Sequence, residues 1–215
     1  MSLAYDIIPV TPFQQNCSIV WCEDTKLAAV IDPGGEIEKI RDRIAKHELE
    51  LDKILITHAH LDHAGGTAEL ARLTGTPIIG PHKDDTFWID LLPEQCAQFG
   101  FEGDIFAPDQ WLNHGDTVSL GNLTFEVVHC PGHTPGHVVF VEMQQSFAMV
   151  GDVLFNGSIG RSDFPKGNQQ DLVNSIRKRL FPLGDDIQFI PGHGPMSNFG
   201  NERRTNPFVA DKRFG

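Results

Sequence analysis

A mixed α/β fold, with a two-sheet core and helices packed outside it, is the class this sequence predicts. Three observations carry that expectation. Short apolar or alternating runs bounded by Gly, Pro, Asn and Asp dominate both halves of the chain. Clear helical periodicity appears only between such runs. No repeat of solenoid period and no low-complexity linker interrupts the 215 residues, so 1–215 reads as a single domain. The same order of elements also suits other α/β or α+β layouts, and layer rules alone do not choose among them.

In chain order, YDIIPV, CSIVWC and LAAVID read as strands separated by the turn material TPFQQN, EDTK and PGG. A helix is expected from Glu36 to about His47, because Ile37, Ile40 and Ile44 recur at helical spacing. Ile54 to Ile56 is a fully apolar run that suits a buried strand. A second helix, Ala- and Leu-rich, is expected from about His63 to Leu73, stopped by Gly75 and Pro77. Ile78 and Ile79 resume a strand, and 81–103 is ambiguous, with an irregular helical segment as one option. TVSL, LTFEVVHC, HVVFVEM and FAMVGDVLF make the second half β-rich. Asn168 is placed to cap a third helix, with Asp171 three residues on as in a capping box. Leu172, Ile176 and Leu180 give that helix its apolar face, FPLG ends it, and a last strand, IQFI, runs into PGHGP.

Composition narrows the function. Seventeen Lys and Arg stand against 29 Asp and Glu, a net charge of −12, which disfavours nucleic acid as a ligand. No window approaches the about 18–20 consecutive apolar residues of a membrane-spanning helix. The start, MSLAYDIIPVTPFQQN, lacks the basic and apolar regions of a secretion signal, so a cytoplasmic address is expected. Four cysteines, Cys17, Cys22, Cys96 and Cys130, are too few for a disulfide framework, and Cys17 and Cys22 read as buried free thiols.

Histidine is the unusual residue, since six of the ten crowd into 57–63 and 129–137. Thr57-His58-Ala59-His60-Leu61-Asp62-His63 follows the run ILI, so a strand ending in a sharp turn would gather His58, His60, Asp62 and His63 around one point. Imidazole nitrogen and carboxylate oxygen suit zinc, iron or manganese. Three further segments place a His or Asp beside Gly at a strand end: CPGHTPGH with His133, VGD with Asp152, and PGH with His193. Each alone reads as an ordinary turn or cap. Beside H-x-H-x-D-H they read as parts of one metal centre.

That ordered set resembles the metallo-β-lactamase superfamily, and within it the short relatives of glyoxalase II, the hydroxyacylglutathione hydrolases. The resemblance runs from Cys17, through IDPGG at 31–35, to NPF at 206–208. It implies a four-layer αββα sandwich with the metals at one edge between the sheets. It implies that His58, His60 and His133 hold one metal, that Asp62, His63 and His193 hold a second, and that Asp152 bridges them. Asp32 would orient the histidine loop. Two divalent ions, zinc first and iron or manganese as alternatives, would share a hydroxide that attacks the carbonyl of a small-molecule thioester such as S-lactoylglutathione. Asp62 and Asp152 would act through that hydroxide. The remaining histidines, His137 included, receive no role.

The chain departs from full-length glyoxalase II in that only 194–205 separate His193 from Asn206, so the C-terminal helical domain is missing there. Pro195 replaces an expected Tyr, and the carrier-binding Lys and Tyr positions fall on Arg161 and Asp163, leaving Arg161 as the expected substrate contact. Persulfide dioxygenases of the same fold hold a single iron with two His and one Asp, which His58, His133 and Asp152 could supply. A non-catalytic metal-binding protein is the other alternative. β-Lactamases lack the bridging carboxylate, and RNA-processing relatives carry basic surfaces that this chain does not have. Oligomeric state is not legible.

Overall fold

Turn residues and strand alternation build the first sheet directly. In the computed structural model, which describes residues 2–214, β1 (Leu3–Val10) and β2 (Gln15–Cys22) form an antiparallel hairpin. β3 (Leu27–Ile31) continues antiparallel to β2. Helix α1 (Ile37–Lys46) then returns the chain so that β4 (Glu50–Leu55) lies parallel to β3, and β5 (Ile78–Ile79) lies parallel to β4. The second sheet runs β13-β12-β9-β8-β7-β6. Its strands are β6 (Thr117–Leu120), β7 (Leu123–His129), β8 (Val138–Glu142), β9 (Phe147–Gly151), β12 (Gln188–Pro191) and β13 (Ser197–Asn198). A small hairpin of β10 (Leu154–Phe155) and β11 (Ser158–Ile159) stands apart.

Period-two alternation sorts the apolar side chains into three layers, as two stacked sheets with outer helices require. Cys17, Ile19 and Trp21 on β2 pack outward with Ile37, Ile40 and Ile44 of α1. Val20 and Cys22 on β2 face the opposite way, meeting Phe140 and Met149 of the second sheet. Val139 and Val141 on β8 point outward again, onto Leu172, Ile176 and Leu180. Each large apolar side chain fully buried in these layers contributes about 1.5–3 kcal/mol relative to exposure. The result is the expected αββα sandwich.

Local differences from the sequence expectations have identifiable causes. The second helix is two pieces, α2 (Leu61–Ala64) and α3 (Thr67–Thr74), broken at Gly65 and Gly66. Gly66 donates its N–H to the Pro33 carbonyl at 2.9 Å, so the IDPGG turn docks into the break. The irregular stretch contains α4 (Thr86–Asp90) and α5 (Leu92–Gln98). Asn168 caps α6 (Gln169–Ser175) by accepting from the N–H groups of Gln170 and Asp171. The box does not close, because the Asn168 N–H is taken by the Gly132 carbonyl at 2.8 Å. The apolar face then continues through a π-helical turn at Ile176–Leu180. A short helix not expected from the sequence, α7 (Phe199–Thr205), fills most of the interval between PGHGP and NPF. No helix among the described residues is long and apolar enough to cross a membrane.

Candidate metal centre

Four loops that leave strand ends meet at one edge of the sandwich. His58, His60, Asp62 and His63 follow β4, His133 follows β7, Asp152 follows β9, and His193 follows β12. β9 and β12 run parallel, with Gly151 opposite Pro191, so the Asp152 and His193 loops leave the sheet side by side. The Val138 N–H donates to the Thr57 carbonyl at 2.8 Å and ties the second sheet to the first histidine loop.

Asp32 organises the first loop from beneath. One carboxylate oxygen accepts from the Thr57 N–H at 2.7 Å, and the other accepts from the Thr57 hydroxyl at 2.6 Å and lies 2.9 Å from His63 Nδ1. Fixing Nδ1 in this way turns Nε2 of His63 toward the site. Gly34 is required here: a Cβ at that position would sit 1.6 Å from the Asp62 carbonyl oxygen. Gly192 is similarly constrained, since its Cβ would fall 2.0 Å from Asp152 Oδ1.

The seven residues singled out by the sequence are brought together. Ligand atoms of His58, His60 and His133 lie within 4.8 Å of one another, and so do those of Asp62, His63 and His193. Asp152 sits between the two sets. Its Oδ1 is 3.3 Å from His63 Nε2, and its Oδ2 is 3.5 Å from His133 Nε2 and 3.7 Å from His193 Nε2. Asp62 Oδ2 is 3.1 Å from His193 Nε2. Among the described residues, His58 Nε2, His60 Nε2, His63 Nε2 and Asp152 Oδ1 are buried without a hydrogen-bond partner. Such atoms are costly unless something satisfies them; His63 Nε2 and Asp152 Oδ1 face each other at 3.3 Å, and His60 meets the His133 ring through Nδ1, 2.9 Å from His133 Nε2. The donor set therefore fits divalent metal.

Burial and mutual charge set the protonation of these groups. Burial, followed by the neighbouring imidazoles, pushes His58 well below its ordinary value, and burial does the same to His60, so both stay neutral with a lone pair to give. Burial alone would lower His63, but the Asp152 and Asp62 carboxylates beside it hold it well above. Burial alone would raise Asp152, but His63, His133 and His193 around it hold its carboxyl far below the usual range, so it remains an anion.

Two residues that sequence reasoning left without a role hold the loops in place. Asp85, fully buried, accepts from the Ala59 N–H at 3.0 Å, the Thr134 hydroxyl at 2.9 Å and the Gly136 N–H at 2.6 Å. It thereby knits the 57–63 loop to the 130–137 loop, although burial pushes its carboxyl up to about 7. His137 accepts from the Asp152 N–H at 3.1 Å and stacks on the His58 ring, with centroids 4.5 Å apart. Its spacing from His133 was the only signal available for it. Nothing in KDDT marks Asp85.

The site opens into a cleft of about 980 Å³ lined by His60, Asp62, His133, Asp152 and His193 at its floor. Arg161 also lines the cleft, and its backbone carbonyl lies 2.6 Å from His133 Nδ1. Its guanidinium forms a two-point pair with Asp163, at 2.9 and 2.8 Å, and lies over the Phe164 ring. Cys130 is completely buried and burial pushes its thiol far up, so no thiolate faces the cleft.

Comparison with known proteins agrees with this arrangement. The family described as "Metallo-beta-lactamase superfamily" matches residues 10–193. Hydroxyacylglutathione hydrolase GloC of Haemophilus influenzae is 49% identical over 209 residues, covering 96% of this chain and 98% of that one. The crystal structure of BLEG-1 B3 metallo-beta-lactamase superposes with a TM-score of 0.88 at 32% identity, covering 96% and 99% of the two chains. That of TTHA1623 in a di-iron-bound form gives 0.86 at 34% identity, covering 95% and 100%.

Proposed function

The chain belongs to the metallo-beta-lactamase superfamily and is a metallo-hydrolase, and from that premise we propose that it is a thioesterase working with two divalent ions, zinc first, on S-lactoylglutathione or a related hydroxyacyl thioester. The observation that carries this reading is the placement of Asp152 between two His-containing sets, each with its ligand atoms within 4.8 Å of one another. The likeness to a hydroxyacylglutathione hydrolase at 49% identity supports the substrate class.

Divalent ions bound there supply a Lewis acid for a carbonyl oxygen and a water of lowered pKa. The protein's own part is positional. His58, His60 and His133 form one set and Asp62, His63 and His193 the other, each ring held by its neighbours. Asp152, kept anionic, supplies negative charge between the two sets. Asp62, on the cleft floor and 3.1 Å from His193 Nε2, would add a carboxylate to the second ligand set. A leaving thiol with a parent pKa of about 8.5 needs no general acid.

A single-iron persulfide dioxygenase would need only His58, His133 and Asp152. It would leave Asp62, His63 and His193 gathered without a purpose, which favours the two-metal reading. Rates of S-lactoylglutathione hydrolysis, measured beside oxygen uptake on glutathione persulfide, separate them. Metal-dependent hydrolysis without oxygen uptake is expected, and the reverse pattern would overturn the thioesterase reading.

Two variants refine the account. Cys130→Ala should keep most of its activity, because a fully buried thiol without charge cannot attack a substrate in the cleft. Loss of turnover with metal content intact would show that a thiol takes part. Arg161→Ala should raise KM for an anionic thioester by about five-fold with kcat little changed, since an exposed contact is equally formed before and in the transition state. Equal losses on an uncharged thioester would give Arg161 a purely structural role in its own loop with Asp163.

A further inference from the structure

Strand β2 outruns its neighbour: β3 pairs with it only from Ser18 to Trp21, so at Asn16 that strand is no longer alongside. The loop after β12, Pro191-Gly192-His193-Gly194, comes to Asn16 instead. The Asn16 N–H donates to the Gly192 carbonyl at 2.7 Å. Its side-chain Nδ2 donates to the carbonyls of Pro191 at 3.0 Å and Gly194 at 2.9 Å. Both amide hydrogens are thereby used, and because each partner is a carbonyl, the nitrogen and not the oxygen must face the loop. One residue of the first sheet thus holds three carbonyls of a loop from the second, on both sides of His193. That histidine needs such a hold. Its side chain is 30% exposed, more open than those of Asp62, His63, His133 and Asp152. It stands between two glycines, and Gly194 has φ +77°, so the free loop would have wide backbone freedom. Gln15, completely buried, brings Nε2 to 3.4 Å from His63 Nδ1, so the start of β2 lies against both histidines of one ligand set.

We propose that Asn16 is a positioning residue for the second metal: it straps the His193 loop so that the ligand atoms of Asp62, His63 and His193 stay gathered. This rests on the two-ion thioesterase reading and adds to it the residue that governs how well one half of the site is occupied. Asn16 is not among the residues lining the cleft, so it acts through His193 and not on a substrate. Without the strap, binding an ion at that set must first order the loop, and affinity falls there alone.

The test is a calorimetric titration of the metal-free chain with zinc. His193→Ala and His58→Ala first identify which binding step belongs to which ligand set. Asn16→Leu keeps the branched shape, removes both donors and adds no charge, and Asn16→Ala removes the amide altogether. Each should weaken the His193-dependent step by about 10- to 100-fold and leave the other step unchanged. Added to His193→Ala, neither should cost further affinity. Equal weakening of both steps, or of neither, overturns the assignment. Failure of both variants to fold does so too, because it gives Asn16 to the fold alone. In metal-free wild-type protein both side-chain amide protons of Asn16 should exchange slowly with water, and fast exchange also overturns the strap. Hydrolysis of S-lactoylglutathione by the zinc-loaded wild type judges the other reading separately. Selective weakening without thioester cleavage leaves the strap standing and the thioesterase reading fallen. If the wild type shows one binding step only, the two-ion reading falls, and the strap stands only if that step weakens with both His193→Ala and Asn16→Leu.

Discussion

Asp152→Ala lowers kcat/KM by on the order of 10³-fold or more, equivalent to about 4 kcal/mol of transition-state stabilisation. The expectation follows from the position of the carboxylate. It touches both halves of the site, at 3.3 Å from His63 and 3.5 Å from His133, which places its negative charge between them. Removing it would deprive the two proposed cations of their shared counter-charge, so metal content should fall along with rate. Asp152→Asn is the sharper variant, because it keeps the shape and removes the charge. Circular dichroism should show either variant folded, since the surrounding strands are held by the apolar layers. A folded Asp152→Asn protein with near-normal turnover would remove Asp152 from the mechanism.

Stripping divalent metal with a chelator should lower the melting temperature, and acid should deepen the loss. A ligand present at about a hundred times its Kd stabilises by about 2.7 kcal/mol, or roughly 5–11 °C for a chain of this size. The pH dependence comes from the histidines. His58, His60, His133 and His137 have folded pKa values below the ordinary one, burial being the largest cause. Below about pH 6.5 the unfolded chain therefore binds protons that the folded chain does not, and stability falls as pH drops. His63 and His193 are raised by their carboxylate neighbours against the effect of burial, and act in the opposite sense. Their contribution is present below about pH 6.5 and is lost as pH rises through their folded values. His129 is lowered as well, and Asp85, raised to about 7, acts with His63 and His193, so five groups against three give a stripped protein less stable at pH 5 than at pH 7. Melting curves of stripped and metal-replete protein at those two pH values check both parts.

The metal centre was legible because its parts are local. H-x-H-x-D-H lies in one loop, and each remaining member stands beside Gly at a strand end, where spacing and composition can be read without knowing the fold. The layers were legible for the same reason, since β2 and β8 alternate visibly. What stayed hidden depends on approaches between distant segments. Asp85 matters because Ala59 and Gly136 come to it from two different loops, and no spacing around Lys83-Asp84-Asp85 announces that. His137 matters because Asp152 turns its N–H toward it. The break between α2 and α3 was masked by an Ala- and Leu-rich run whose periodicity continues across Gly65 and Gly66, while the Pro33 carbonyl that claims the Gly66 N–H lies far back in the chain. The apolar lining of the cleft was invisible too, because Phe13, Phe164 and the two ends of α5, Leu91 and Phe99, lie far apart in the sequence.

The central claim is that two metal ions share Asp152. Elemental analysis of protein purified without chelator and saturated with divalent metal tests it most directly, with activity followed on the same samples. The account predicts that binding climbs to two ions per chain and that full activity arrives only with the second. A plateau at one ion with full activity would contradict it.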